Sequence, residues 1–390
     1  MIGITRLLCD GENYGDNLRY HASSATQQHG TSQGKGPVVV WNSTRTCNLK
    51  CRHCYSESDG QVYEGELSTQ ESRAFLDDLA DFKVPVILFS GGEPLLRPDF
   101  LDLAAYAVKR KIRATVSTNG TLIDAEKARL FKKIGLGYAG VSIDGIGENN
   151  DLFRGQKGAF EAALRGIQAC LSVGQKVGLR FTLNQYNIDD LEEIFYLLKE
   201  EKIPRVCFYH LVYSGRGNSM QDKDISYERT REALDLIMDK TVTFNRKGFP
   251  LEVLTVDNHC DAVYVYLQAL KRYPNKANQI LKLLLANGGN RSGIAIGEVD
   301  WFGDVHPDQF SRNHTFGNVK KQKFAEIWTN TRHPILAGLK NRKPLLKGRC
   351  AKCKWLEVCN GNFRARAEAV YGDFWAEDPA CYLTNQEIGI

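Results

Sequence analysis

Two tight groups of cysteines carry the chemistry in this sequence. The first is Cys47-Asn-Leu-Lys-Cys51-Arg-His-Cys54. Three thiolates can hold three irons of a [4Fe–4S] cluster and leave the fourth iron open to a ligand. The competing occupant is zinc, but structural zinc usually takes four ligands as paired CxxC units, and no local pair supplies the fourth. The second group is Cys350-x2-Cys353-x5-Cys359, with Cys381 after a gap. Four thiolates suit tetrahedral zinc or a saturated [4Fe–4S] cluster, and the spacing alone allows both. The other four cysteines, Cys9, Cys170, Cys207 and Cys260, are scattered and read as buried, unreactive thiols.

The elements that must position these groups alternate. Short β-branched or aromatic runs at Val38–Asn42, Val86–Ser90, Arg113–Thr118, Tyr138–Ile143, Val177–Leu183 and Arg205–His210 read as strands. Helical patterns lie between them. Ser68 and Glu71 form a capping box ahead of Phe75, Leu76, Leu79 and Phe82, and Leu191, Ile194, Phe195 and Leu198 repeat that helical spacing. Six βα units in series predict an α/β fold with a parallel sheet and right-handed crossovers. Six is too few for the usual closed eight-stranded barrel, so an open, partial (βα)6 TIM-like barrel is expected, with its active site at the strand ends. The first cysteine group directly follows the first strand.

Residues 1–36 end in HASSATQQHGTSQGKG, which reads as a flexible lead-in. The barrel is expected over 37–246 and a helical connector over 247–291, with helices at Ala262–Arg272 and Lys276–Ala286. A small domain carrying the second cysteine group follows over 292–390, opening on a hairpin around Phe302-Gly303-Asp304.

Composition narrows the function classes. Fifty-one basic against 46 acidic residues leave a net charge of +5, a mixed solvated surface and not that of a nucleic-acid-binding protein. No apolar run approaches the roughly 20 residues that span a bilayer, and the N-terminus lacks the pattern of a signal peptide. A cytoplasmic location is therefore expected, where cysteines stay reduced and clustered ones bind metal.

The C-x3-C-x2-C spacing after a strand, with His53 before the third cysteine, resembles the radical S-adenosylmethionine (SAM) signature. The resemblance implies that SAM chelates the open iron and is cleaved to a 5′-deoxyadenosyl radical. It also implies that Ser90-Gly91-Gly92-Glu93-Pro94 holds the SAM amino group. Ser117 and Asn119 after the third strand, and Ser142 and Asp144 after the fourth, would contact its ribose and methionine portions. Arg180 would meet its carboxylate.

The C-terminal spacing is similar to SPASM/twitch auxiliary-cluster regions, and so are Gly317-Asn318-Val319 and Phe324–Trp328. That likeness favours iron–sulfur over zinc and implies two [4Fe–4S] clusters in the chain. Asp308 and Phe363 stand where an inner auxiliary cluster would need cysteines, so a single outer cluster is implied, one that relays electrons.

A narrower likeness, to the NirJ/AhbC group, rests on PVVVWNSTRTCNLKCRHCYS, VPVILFSGGEPLLRPD, Asp151–Gly155, VGLRFTLN, His210–Gly217, VHPDQF and GDFWAEDPACYLTNQEIG. It implies an iron tetrapyrrole substrate, 12,18-didecarboxysiroheme, losing acetates or propionates in the alternative haem or haem d1 pathway. A reducing partner such as ferredoxin or flavodoxin goes with it. A flat, carboxylate-rimmed disc needs aromatic walls and cationic forks. Tyr209, His210, Tyr213 and Arg216 after the sixth strand are the expected substrate contacts. Arg364 and Arg366 are further candidates, and His259, His306 and His314 are candidate ligands for the substrate iron. Two rivals are a SPASM-type peptide maturase and a non-catalytic iron–sulfur carrier. The first usually has a peptide-clasping domain before the barrel, and the second leaves the strand-end motifs unexplained.

Overall fold

The computed structural model describes residues 1–9, 11–20, 28–31 and 36–390. Among these, eleven strands form one sheet: β1 (Ile2–Gly3), β2 (Val38–Thr44), β3 (Val86–Gly91), β4 (Arg113–Thr118), β5 (Tyr138–Ser142), β6 (Val177–Leu183), β7 (Arg205–His210), β8 (Glu252–Val256), β9 (Ile296–Val299), β10 (Asp304–His306) and β11 (Gly317–Asn318). Their order is β1-β8-β7-β6-β5-β4-β3-β2-β9-β10-β11. Every pairing from β8 across to β9 is parallel, and the outer pairings are antiparallel. β1 and β11 stay unjoined at the two ends, so the sheet is an open barrel, and the six expected strands are its centre.

Strand periodicity sorts the two faces. Ile87 and Phe89 of β3, Ala114 and Val116 of β4, and Val206 and Phe208 of β7 are fully buried or nearly so against the outer helices. Phe89 meets Phe100 of the helix Phe100–Lys109 edge-on, with ring centroids 5.4 Å apart. The alternate residues, among them Leu88, Thr115, Arg180, Cys207 and Tyr209, face the lumen. The helix Thr69–Asp81 starts at the expected capping box, with both reciprocal bonds formed, a device contributing about 1 kcal/mol.

Three expectations change. The stretch HASSATQQHGTSQGKG lies largely outside the described residues, but the chain before it is not a loose lead-in. Ile2 and Gly3 pair with Thr255 and Leu254, and the helix Ile4–Leu8 buries Ile4, Leu7 and Leu8. The connector holds the expected helices, as Cys260–Arg272 and Pro274–Asn287, but also β8, a seventh barrel strand beside β7. Its run Glu252–Val256 follows the long helix Tyr227–Arg246 and becomes a strand by pairing with β7 and β1. The hairpin β9–β10 forms as expected, and β9 also pairs with β2. The C-terminal region thus continues the barrel sheet. No helix is long and apolar enough to cross a membrane among the described residues.

Candidate active site

At the C-terminal ends of the strands, a cavity with about 1050 Å³ of free space gathers most of the expected residues. Cys47, Cys51, His53 and Cys54 line one side. Gly91, Gly92, Ser117, Asn119, Ser142, Arg180, Tyr209 and His210 are among the residues lining the remainder. Three converging thiols facing an open cavity fit a cluster with one exchangeable position. Burial pushes the Cys47 thiol up to about 12, so a metal bound there would have to displace its proton.

The two glycines are needed for a reason beyond ligand access. A Cβ on Gly91 would collide with the Thr44 carbonyl, and one on Gly92 with the Thr46 carbonyl. Gly91 also sits at φ +123°, a conformation open to glycine. Gly92 N donates to Thr44 O (2.7 Å) and Glu93 N to Thr46 O (2.9 Å), binding this segment to the approach of the cysteine loop. Glu93 and Pro94 are buried behind the cavity wall. The Glu93 carboxylate accepts from Thr118 Oγ1 (2.7 Å), Asn119 N (2.8 Å) and Leu95 N (3.1 Å). Burial pushes its carboxyl up to about 6 against these donors.

Asp144 is also fully buried behind the wall. It accepts from Thr182 N (2.6 Å), pairs with Arg154, and lies 3.5 Å from His53 Nε2. His53 stacks on Phe153, and burial lowers it to about 4, so its imidazole is neutral near pH 7. Arg154 donates to Cys51 Sγ (3.6 Å), placing a buried cation against the sulfur. Its role went unread, although it lies inside the quoted segment Asp151–Gly155.

Two expected substrate contacts are placed elsewhere. Tyr213 packs with Phe153, Leu211 and Met220, and its hydroxyl donates to Asp224 (2.7 Å). Arg216 is turned into the cysteine loop: Nε donates to Cys51 O (2.8 Å), Nη2 to Ser58 O (3.0 Å), and its own N–H to Cys54 O (3.0 Å). Gly215, at φ +55°, lets the chain pass close to Tyr55 O to reach this position. The flanking glycines therefore aim the guanidinium at the loop and not into the lumen. His210 lines the cavity but is held by Asp261 at 2.9 Å.

Below this cavity lies a larger one, with about 2260 Å³ of free space, lined by the first residues of β2 through β8. Both cavities share Val40, Leu88, Arg180, Tyr209, Asp257 and Gln309, which form a neck between them. At the neck the Arg180 guanidinium lies 4.6 Å from the Tyr209 ring centre, and burial pushes the Asp257 carboxyl up to about 6. Arg19, Arg113, Lys176, Arg205 and Arg291 line the lower cavity among apolar walls. Arg113 covers the Tyr14 ring at 4.0 Å and donates to Gly137 O (2.6 Å). Arg205 lies over Tyr138 at 4.5 Å and 3.4 Å from Glu252. No local motif marks these cations, because strand-start residues meet only when the barrel curves.

Of the other candidates, His259 lines the lower cavity. His306 donates through Nδ1 to His314 O (3.1 Å), and His314 Nε2 is 2.8 Å from Glu368. Arg366 is buried in a two-pronged pair with Asp378 (3.0 and 2.8 Å), and Arg364 donates to the carbonyls of Phe374, Ala376 and Gly361. Both arginines are structural. Cys350, Cys353, Cys359 and Cys381 line a third, smaller cavity of about 440 Å³. Four thiols around one space fit a saturated cluster. Cys170, Cys207 and Cys260 are buried and Cys9 is partly so.

Residues 41–198 match the radical SAM superfamily, and residues 296–354 match SPASM, an iron–sulfur cluster-binding domain. The chain is 58% identical to Fe-coproporphyrin III synthase of Methanosarcina barkeri, over 100% of this chain and 99% of that protein. It is 45% identical to pre-heme d1 synthase of Dinoroseobacter shibae, over 97% and 93%. Among solved structures it resembles Streptococcus suis SuiB bound to S-adenosylmethionine, with TM-score 0.70 and 18% identity over 90% of this chain and 78% of that one. It also resembles native anSMEcpe with bound AdoMet, with TM-score 0.67 and 19% identity over 90% and 95%. At these identities the two structures speak for the fold alone. The protein belongs to the radical SAM superfamily, in its group of SPASM-bearing enzymes of the haem pathways, and uses SAM and iron–sulfur chemistry.

Proposed function

We propose that this enzyme removes two acetate side chains from 12,18-didecarboxysiroheme to give iron-coproporphyrin III. The observation that carries the reading is the arginine-lined lower cavity, joined through a neck to the first cysteine site. It is the roomier of the two cavities, and its apolar walls suit a flat macrocycle. Guanidiniums at its lining match a disc rimmed by carboxylates. Full-length similarity to Fe-coproporphyrin III synthase favours acetate removal. Propionate removal, as the second reading, rests on the lower similarity to pre-heme d1 synthase.

In this reading Cys47, Cys51 and Cys54 hold the SAM-binding cluster, and the C-terminal quartet holds a second [4Fe–4S] cluster. When bound, the first cluster and SAM supply one-electron cleavage of the sulfonium and a radical that takes a hydrogen from a substrate side chain. The chain's own residues bind, orient and enclose. Gly91 and Gly92 offer backbone to the SAM amino group, and Glu93 and Pro94 fix that backbone from behind. Ser117, Asn119 and Ser142 face the ribose and methionine portions, and Asp144 anchors the wall through Arg154. Arg180, at the neck, meets the SAM carboxylate. Arg113 and Arg205 fork substrate carboxylates, the part expected of Arg216, while Tyr209 walls the neck. Holding both reactants across one neck supplies orientation and excludes water. A ferredoxin or flavodoxin delivers the electron in the cytoplasm.

The test is anaerobic incubation with SAM, dithionite and didecarboxysiroheme, followed by mass spectrometry of the tetrapyrrole. Loss of acetates is expected. Loss of propionates would support the second reading, and an unaltered tetrapyrrole beside a modified peptide would overturn both.

A further inference from the structure

The second cysteine site sits in a stretch of one-signed charge. Residues 327–356 carry eight Lys and Arg and no Asp or Glu, in a sequence where 46 of 390 residues are acidic. Cys350 and Cys353 fall inside this stretch, and Cys353 stands between Lys352 and Lys354.

The carboxylates that border the stretch are already engaged. Glu357 pairs with Lys343 (2.5 Å), Asp373 pairs with Lys347 (2.6 Å), and Glu377 accepts from the backbone N–H of Arg349 (2.5 Å). Asp378 is taken by Arg366, and Glu387 by Arg231. Two of the arginines are engaged as well. Arg342 is buried, and Arg349 donates to Cys381 O (3.3 Å) and Leu383 O (2.5 Å). Lys352 and Lys354 are exposed, and among the described residues neither has an acidic partner. The Lys354 ammonium lies 5.4 Å from the Trp355 ring centre.

Exposure also separates the two cysteine groups. Cys350, Cys353, Cys359 and Cys381 are each partly exposed, whereas Cys47 and Cys51 are buried beside the cavity that SAM would fill. Electron transfer weakens steeply with distance, so a protein-sized reductant comes within reach of the second group more readily than the first.

We propose that the surface around Lys352, Cys353 and Lys354 is the docking face for an acidic one-electron carrier protein. The carrier gives up one electron, the C-terminal cluster gains it and passes it on to the first cluster, and no proton or covalent bond changes hands. Unpaired ammonium groups steer an acidic partner to the cluster edge, and electron-transfer encounters need only a small contact area. The inference rests on the reading that the quartet holds a [4Fe–4S] cluster.

In the experiment the holoenzyme cleaves SAM without tetrapyrrole, driven either by fully reduced flavodoxin, an acidic carrier, or by dithionite, which is small enough to enter the first cavity. The rate of 5′-deoxyadenosine formation is measured. Lys352→Glu combined with Lys354→Glu should keep about eight irons and the dithionite-driven rate. It should lower the flavodoxin-driven rate at low ionic strength roughly tenfold or more, and added salt should narrow that gap. Lys247→Glu, an exposed lysine at the strand-start end of the barrel just before β8, should change neither rate. Equal flavodoxin-driven rates in the parent and the double variant would overturn the proposal, and so would an equal loss in Lys247→Glu. A fall of the dithionite-driven rate by the same factor would overturn it too, by making the two lysines structural. A parent enzyme lacking the second cluster would instead overturn the underlying assignment, and iron content shows that before any variant is made.

Discussion

The two cysteine sites differ in what surrounds the sulfur. The first opens on a cavity with about 1050 Å³ of free space whose walls carry hydroxyls, two amides (Asn119 and Gln309) and two guanidiniums (Arg154 and Arg180). The second surrounds a smaller space of about 440 Å³, where Val263, Trp355, Leu356, Leu383 and Ile388 stand beside Arg349, Asn362, Glu377 and Asp378. Their arginines differ in the same sense. Arg154 approaches a cysteine sulfur, whereas Arg364 and Arg366 are consumed by backbone carbonyls and Asp378. Three thiols beside a polar space can admit a ligand to iron. Four thiols would satisfy every iron of a cubane cluster and leave no position for one.

The strongest test of that contrast removes each set in turn. The reconstituted enzyme should hold about eight irons. Alanine at Cys47, Cys51 and Cys54 should remove half the iron and all SAM cleavage. Alanine throughout the C-terminal quartet should remove the other half yet spare uncoupled cleavage, measured as 5′-deoxyadenosine. Zinc in the second site would break the comparison.

Arg366 and Asp378 are both fully buried, so Arg366→Ala strands a charge. Such a break costs about 3–5 kcal/mol, and chemical denaturation should show a loss of that size. A loss under about 1 kcal/mol would mean that the second region is less rigid than its packing implies.

Substrate binding should depend on the lower cavity and not on the loop above it. Loss of one charge-assisted bond costs about 1.5–3 kcal/mol, so Arg113→Ala should weaken tetrapyrrole binding roughly ten- to hundredfold. Arg216→Lys should leave that affinity unchanged and lower the occupancy of the first cluster, because Lys cannot span both Cys51 O and Ser58 O. The opposite pattern in titrations would return Arg216 to the substrate.

The smallest effect separates the sites by sign. Glu93, raised from 4.5 to about 6 by burial, binds its proton more tightly in the folded chain. Stability should therefore fall as pH rises from about 4.5 through 6, by about 2 kcal/mol. Asp378 is held below its ordinary value by Arg366 despite burial. Its contribution is present above the unfolded carboxylate range and is lost as pH falls. Unfolding of the apoprotein against pH, each parent minus its amide variant (Glu93→Gln, Asp378→Asn), should show opposite slopes. Equal slopes would refute the assignment.

Local patterns account for much of what was legible beforehand. The capping box at Ser68 and Glu71, the six strand runs and the hairpin at Gly303 each depend on neighbours within a few residues, and each formed. β8 was missed because Glu252–Val256 becomes a strand only by pairing with β7 and β1. Arg216 was misplaced for a related reason. Two flanking glycines show that the backbone can bend, but not which carbonyls wait on the inside of the bend.

By itself the sequence determined the class of chemistry, since C-x3-C-x2-C after a strand, with strand-end motifs behind it, marks a radical SAM protein through near neighbours, and that family holds. It also determined the parallel sheet, through periods of 2 and 3.6. Only the tertiary structure decided what is shared between distant segments. It ran the C-terminal hairpin onto β2, curved seven strand starts into one arginine-lined cavity, and brought Cys260 into the wall of the second cysteine site. Those juxtapositions arise from sheet curvature and from buried side-chain amide hydrogen bonds linking residues about a hundred positions apart, and no local spacing encodes them.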